Sequence, residues 1–251
     1  LRLLGSDSAE TLVVVRKSAQ IGFTQLGLAW LGYIVDAAPA DTIVVFPNIK
    51  AVTDFNRTKL HRSIAGSPKL RRKVFEQKSR SADGSTTTTK QFPGGSIVLT
   101  WSSSSADLRS KTVKYAFCDE VDEWPLDLDG QGDPMAMVDA RQKAFHETAD
   151  YKKFVGSTPT IKGASRIDQL FEAGDQRFFE VPCPHCGEYQ RLVFKNLKFG
   201  AAYPFNASYA CGHCGAHIEH HHKRAMVRAG RWVATAPGPG RHPSFHVDAL
   251  S

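Results

Sequence analysis

Two short segments carry the residue types suited to phosphate chemistry. The first, Arg16 to Thr24 (RKSAQIGFT), follows the β-branched run Thr11 to Arg16 and precedes the apolar stretch Thr24 to Val35. A strand turning tightly into a helix is the setting of a nucleotide phosphate loop. There, backbone N–H groups and a helix N-terminus aim at phosphate oxygens, a lysine neutralises charge, and a hydroxyl takes Mg²⁺. The usual pattern is G-x-x-x-x-G-K-[ST]. Here Lys17 stands at the first glycine position, Ser18, Ala19, Gln20 and Ile21 fill the loop, Gly22 fits the second glycine, Phe23 replaces the lysine, and Thr24 supplies the hydroxyl. By pattern alone this is a poor match, and a plain strand–turn–helix joint is the better reading of it. The chemistry survives if Lys17 reaches across the loop.

The second segment, Lys114 to Glu120 (KYAFCDE), is an apolar strand ending in two adjacent acids. Ligands of open parallel sheets bind at the carboxyl ends of strands. Asp119 would sit near Thr24 and hold Mg²⁺, and Glu120 would polarise the attacking water. The acids that follow, Asp122, Glu123, Asp127, Asp129 and Asp133, read as surface or loop charges. The spacing of Asp127 and Asp129 does not make a calcium loop. Ser157 and Thr158, after a further strand, would place hydroxyls at the same edge, where a polar tip can sense the γ-phosphate. Arg109 is either a γ-phosphate charge stabiliser, a DNA contact or a solvated loop arginine.

A third constellation is chemically separate. Cys183-Pro-His-Cys186 and Cys211-Gly-His-Cys214 are two C-x-x-C knuckles, separated by 24 residues. Four thiolates at this spacing suit tetrahedral, structural Zn²⁺ with no open coordination position. His185 and His213 are not expected to be ligands. Cys118 reads as a core residue, and His220 to His222 as a surface run at a helix start.

The elements that position these groups alternate. Strands are expected at Thr11–Arg16, Thr42–Phe46, Ser96–Trp101, Val113–Cys118 and Lys152–Gly156. Helices are expected at Thr24–Val35, Ala51–Ile64 and Pro134–Glu147, with a loop or hairpin at Ser79–Thr89. Such alternation implies an α/β fold: a mostly parallel sheet sandwiched by helices. From about Phe178 the composition turns to Cys, Gly, Pro and His. This suggests a division into residues 1–176, a P-loop domain, and 177–251, a zinc-ribbon-like module.

The chain has 251 residues, 41% hydrophobic and 23% charged, enough for one large or two smaller globular domains. A net charge of +7 suits a polyanionic partner. Arg57 to Arg80 concentrates it, with nine basic residues and one acid, Glu76. That stretch is either a solvated helix face or a phosphate-backbone contact. No run of eighteen apolar residues suggests a membrane span. Five cysteines, four of them in close pairs, favour metal in a reducing compartment over disulfides. The chain starts at Leu1 without a signal peptide, as a piece of a longer polypeptide would.

Taken in order, RKSAQIGFT (16–24), SSADLRSKTVKYAFCDEVDEWP (104–125), VGSTPT (155–160), CPHCG (183–187), YACGHCGAHIEHHHK (209–223) and GRWVATAP (230–237) resemble one family: the large subunit of lambda-type (GpA-type) bacteriophage terminases, the DNA-packaging motors. The resemblance implies a RecA-like ATPase of the additional-strand, catalytic-Glu type. Its phosphate loop (Walker A) is deviant, with lysine at the start, which matches Lys17. It further implies Asp119 as the Mg²⁺-binding acid (Walker B), Glu120 as the catalytic carboxylate and Ser157-Thr158 as the coupling motif. Expected cofactors are ATP, Mg²⁺ and structural Zn²⁺. Expected partners are double-stranded DNA, the small terminase subunit, the portal and procapsid, and further copies of the chain, in the host cytoplasm. The family's adenine-contacting motif lies upstream of the loop and its endonuclease downstream of the zinc-like region; neither is found in the chain. A helicase-like ATPase, or a zinc-ribbon DNA-binding module on an inactive nucleotide fold, are the alternative readings.

Overall fold

The computed structural model describes residues 1–76, 85–161, 163–202 and 206–250. Strand β1 (Leu12–Lys17) runs into helix α1 (Phe23–Ala37). β2 (Thr42–Phe46) follows, then α2 (Ile49–Phe55), one wide turn of π-helix, α3 (His61–Gly66) and α4 (Pro68–Lys73). The hairpin β3 (Thr89–Phe92) and β4 (Gly95–Trp101) leads to α5 (Ser105–Ser110) and β5 (Tyr115–Asp119). Then come α6 (Pro134–Gln142), β6 (Lys152–Ser157) and α7 (Arg166–Ala173).

Local chemistry sets the boundaries. Asn48, Ser67, Asp133 and Ser165 accept hydrogen bonds from first-turn N–H groups of α2, α4, α6 and α7, and proline opens α4 and α6. α1 differs. It starts from Gly22 in the left-handed region (φ 86°), with no side-chain cap and no acid in its first turn.

The main sheet runs β12-β7-β13-β1-β6-β5-β2-β4-β3, where β7 is Arg177–Pro182, β12 is Arg231–Ala234 and β13 is Ser244–Val247. Its centre from β13 through β4 is parallel. β3 is antiparallel at one edge and β12 at the other. Both faces are covered. One buries Phe23, Trp30, Leu31 and Ile34 of α1 against Val15, Phe117 and Phe154; the other buries Leu108, Val138 and Ile167 against Val14, Val45 and Val155. This is the expected mostly parallel α/β sheet between helices, and strands buried on both faces explain the continuous apolar runs.

Strand pairing crosses residue 176. β7, β12 and β13 all belong to the main sheet, so the compositional change near Phe178 does not mark where that sheet ends. Between β7 and β12 the chain leaves to form β8 (Tyr189–Gln190) against β7, and a small antiparallel sheet of β9 (Leu197–Lys198), β10 (Ser208–Ala210) and β11 (His217–Glu219), followed by α8 (Lys223–Arg228). This excursion has its own core of Val181, Cys183, Tyr209, Cys211, Ile218 and Met226. Among the described residues no helix is long and apolar enough to cross a membrane.

Candidate active site

The order of strands puts β6 between β1 and β5, and the register lays Asp119 beside Gly156 and Gly156 beside Val15. The carboxyl ends of three strands therefore converge. Lys17 ends β1, Asp119 ends β5 and Ser157 ends β6.

Phe23 explains the deviant loop. A lysine at this position belongs in the phosphate site, but the Phe23 side chain turns inward and is 2% exposed. Its ring lies 4.7 Å from that of Phe154 and 5.6 Å from that of Phe117. Gly156 leaves room for it: a Cβ there would lie 2.1 Å from the ring. Such burial contributes roughly 2 kcal/mol. The cation beside this loop is Lys17, almost fully buried, whose ammonium forms an ion pair with Glu120 Oε1.

The acids divide their contacts. Asp119 Oδ2 accepts from Thr24 Oγ1 at 3.0 Å, and Oδ1 from the Glu120 N–H at 3.0 Å. Its carbonyl accepts from Trp124 Nε1 at 3.1 Å. Burial, reinforced by the neighbouring Glu120 charge, pushes the Asp119 carboxyl up to about 6. Glu120 Oε2 accepts from Ser157 Oγ at 3.3 Å and from Thr158 N–H at 3.2 Å. Glu120 itself is left-handed (φ 51°, ψ 52°), a conformation that costs a non-glycine residue about 1–2 kcal/mol. One carboxylate oxygen is thus anchored to β6, and the other faces Lys17.

Lys17, Thr24, Asp119, Glu120, Ser157 and Thr158 are brought together. Gln20 (φ 59°) and Gly22 both adopt left-handed backbone in the loop between them. The Ser18 N–H is committed to the Val247 carbonyl at 2.9 Å, which leaves Ala19 to Thr24 as the stretch approaching the helix N-terminus. Arg109 lies elsewhere. It is in α5, not a loop, and donates to the Gln131 carbonyl at 3.3 Å, in a cleft with Ala136, Ala140 and Arg141. Cys118 is fully buried, and burial pushes its thiol up to about 12.

Asp122 corrects a reading made from sequence. It is a half-buried turn acid rather than a free charge: its carboxylate accepts from Thr160 N–H (3.0 Å), Thr160 Oγ1 (3.2 Å) and Ile167 N–H (2.7 Å). The acid-rich composition of residues 119–133 masked it. A period-two or helical signal does not exist in a three-residue turn.

The four cysteines of the knuckles also converge. Their Sγ atoms all lie within 4.8 Å of one another, with Cys183–Cys214 at 4.0 Å and Cys186–Cys211 at 3.9 Å. Sulfurs placed tetrahedrally around a metal at ~2.3 Å stand about 3.8 Å apart, so the cluster has the dimensions of a metal site. The knuckles repeat each other. The N–H groups of His185 and His213 each donate to a cysteine sulfur at 3.4 Å, and Gly187 and Gly215 turn at φ 78° and 74°. Burial opposes ionisation of Cys211, but the N–H groups of Cys214 and His213 and the neighbouring thiols outweigh it and bring it down to about 6. No histidine joins the cluster among the described residues, and His220–His222 form a turn leading into α8, exposed at His220 and His221 and half-buried at His222.

The family model for the phage terminase large subunit gpA, ATPase domain, matches residues 2–232. The chain belongs to this family. It is 28% identical over 250 residues to the terminase large subunit of Enterobacteria phage P21, covering 95% of this chain and 37% of that protein. It is also 28% identical over 221 residues to that of Escherichia phage lambda, covering 85% of this chain and 34% of that protein. The chain thus spans about a third of the length of these relatives. Among solved structures, it is similar to the large terminase ATPase domain of Thermus phage P74-26, with TM-score 0.47 and 13% identity over 96% of this chain and 77% of that one.

Proposed function

We propose that this terminase ATPase region hydrolyses ATP with Glu120 as general base, and that in the full polypeptide turnover drives double-stranded DNA into a procapsid. The observation that carries the reading is the division of labour at Glu120. Oε2 is anchored by Ser157 and Thr158, while Oε1 faces only Lys17 among the hydrogen-bond partners of the described residues. A γ-phosphate that draws Lys17 to itself releases Oε1, which can then take the proton of an attacking water. The backbone amides of Ala19 to Thr24, at a helix start without a side-chain cap, supply the phosphate cradle.

Thr24 and Asp119 offer a hydroxyl and a carboxylate side by side, hard oxygen donors that fit Mg²⁺. Bound there, the ion would neutralise charge developing on the phosphates. β6 between β1 and β5 supports the RecA-like, additional-strand reading, with Ser157-Thr158 as the coupling step. The cysteine cluster supports a structural Zn²⁺ in a zinc-ribbon-like module inserted between β7 and β12.

DNA contact falls to the basic segment. Lys69 and Lys73 are engaged by Asp36 of α1 at 3.6 and 2.9 Å, and Arg57 by Asp54. This leaves the exposed Arg62, Arg71 and Arg72 and the half-buried Lys59 as the candidate contacts, while Lys78 and Arg80 lie outside the described residues. The small subunit, the portal, further copies of the chain and the host cytoplasm complete the proposed setting.

The test is Glu120→Gln in the full-length protein. Turnover of Mg²⁺-ATP falls at least a hundredfold, within the range for loss of a general base, while nucleotide affinity is retained. Unchanged turnover removes the assignment.

A further inference from the structure

Asp122 takes no part in the hydrolysis proposed above, yet its hydrogen bonds join three elements. Its N–H donates to Ser157 Oγ at 3.1 Å, and that hydroxyl shares its proton between Glu120 Oε2 at 3.3 Å and the Thr158 carbonyl at 3.2 Å. Its carboxylate holds Thr160 through one oxygen and Ile167, in the first turn of α7, through the other. Arg166 adds a second tie between α7 and the turn that holds Asp122, donating to the Val121 carbonyl at 2.7 Å.

This arrangement bears on Glu120 because of what the sheet does not hold. The β1–β6 ladder ends at the pair Arg16–Ser157. Thr158, whose N–H anchors Glu120 Oε2, lies beyond it, and Pro159 has no N–H to donate. The next anchorage along the chain is Thr160 on Asp122. Asp122 also caps α7, taking the Ile167 N–H at 2.7 Å while Ser165 Oγ takes that of Asp168 at 3.1 Å, but capping does not account for its bonds to Thr160. The bonds to Thr160 serve the segment between β6 and α7 instead.

We infer that Asp122 is a positioning residue for hydrolysis, fixing Ser157 and Thr158 as the donors that hold Glu120 Oε2 and so leave Oε1 as the base. This rests on the ATPase reading. A carboxylate suits the task because two oxygens face two sets of donors; the NH₂ of an asparagine would oppose one set.

The experiment measures kcat, KM for Mg²⁺-ATP and the stoichiometry of a non-hydrolysable ATP analogue, using full-length wild type, Asp122→Ala, Asp122→Asn and Thr160→Val. Asp122→Ala lowers kcat by about tenfold, part of the general-base contribution, with KM and bound analogue per chain within about twofold. Asp122→Asn falls between it and wild type, and Thr160→Val, which keeps the backbone bond, changes kcat by less than about threefold. If Asp122→Ala does not fold, Asp122→Asn carries the test with a threefold loss of kcat as its threshold. A kcat loss below about fivefold in Asp122→Ala, or a loss matched by rising KM and falling stoichiometry, overturns the inference and leaves the ATPase reading intact. A wild type without turnover overturns both.

Discussion

Replacing Gly156 by alanine tests why phenylalanine stands where phosphate loops carry lysine. The new Cβ would lie 2.1, 2.4 and 2.5 Å from three carbons of the Phe23 ring, inside any ordinary contact distance. The ring must retreat by about 1 Å or more to reach van der Waals separation. It cannot do so freely, because Phe117 and Phe154 flank it and the Lys17 ammonium lies 5.7 Å over its face. Overpacking of this kind costs about 1–3 kcal/mol. For a chain of this size each kcal/mol moves Tm by about 2–4 °C, so Gly156→Ala should lower it by about 2–12 °C. Phe23→Leu makes room, and the double variant should recover about 1 kcal/mol relative to the sum of the singles. Thermal unfolding followed by circular dichroism on the four proteins measures this. Unchanged Tm in Gly156→Ala, or strict additivity in the double variant, would refute the packing account. Phe23→Lys, which restores the standard motif, should destabilise further by burying an ammonium at a site 2% exposed.

Asp119 makes a pH prediction. Its folded value, about 6, lies above the ordinary 3.8, so the metal-free fold favours the protonated acid. Its contribution is complete below pH 3.8 and is lost as pH rises through about 6, amounting to about 3 kcal/mol at most. Asp119→Asn should therefore raise the Tm of Mg²⁺-free protein at pH 8 and abolish the stabilisation that Mg²⁺ gives wild type. Metal analysis should find one zinc per chain, and a chelator should expose Cys183, Cys186, Cys211 and Cys214 to alkylation while Cys118 reacts only on global unfolding. Arg71→Ala with Arg72→Ala should weaken DNA binding and reduce the slope of log K against log salt by about 2, leaving DNA-free ATP turnover unchanged; an unaltered slope removes these residues from the interface.

Much of this site was legible before folding because its signals are local. A β-branched run ending in Lys17, an apolar run ending in Asp119-Glu120, and two C-x-x-C knuckles each declare themselves within ten residues. The alternation of strands and helices carried the parallel sheet, since buried strands must be apolar on both faces. The long-range facts were not legible. The return of β13 to the main sheet depends on pairing Val14 with Ser244, across most of the chain, and that of β12 on pairing Arg231 with Glu180 of β7. Arg109 sits in the right stretch of sequence, but α5 turns it toward Gln131.

The phosphate loop shows the division most clearly. Sequence alone established its place after a strand, the glycine at its turn and the hydroxyl at Thr24. Only the tertiary structure shows where Phe23 and Lys17 point. Phe23 is inward because Gly156, from a strand 133 positions later, leaves a hole for its ring, and Lys17 faces Glu120 because β6 separates β1 from β5. Likewise, composition made Asp122 one acid among several, and its role rests on donors from Thr160 and Ile167, which no local pattern brings near.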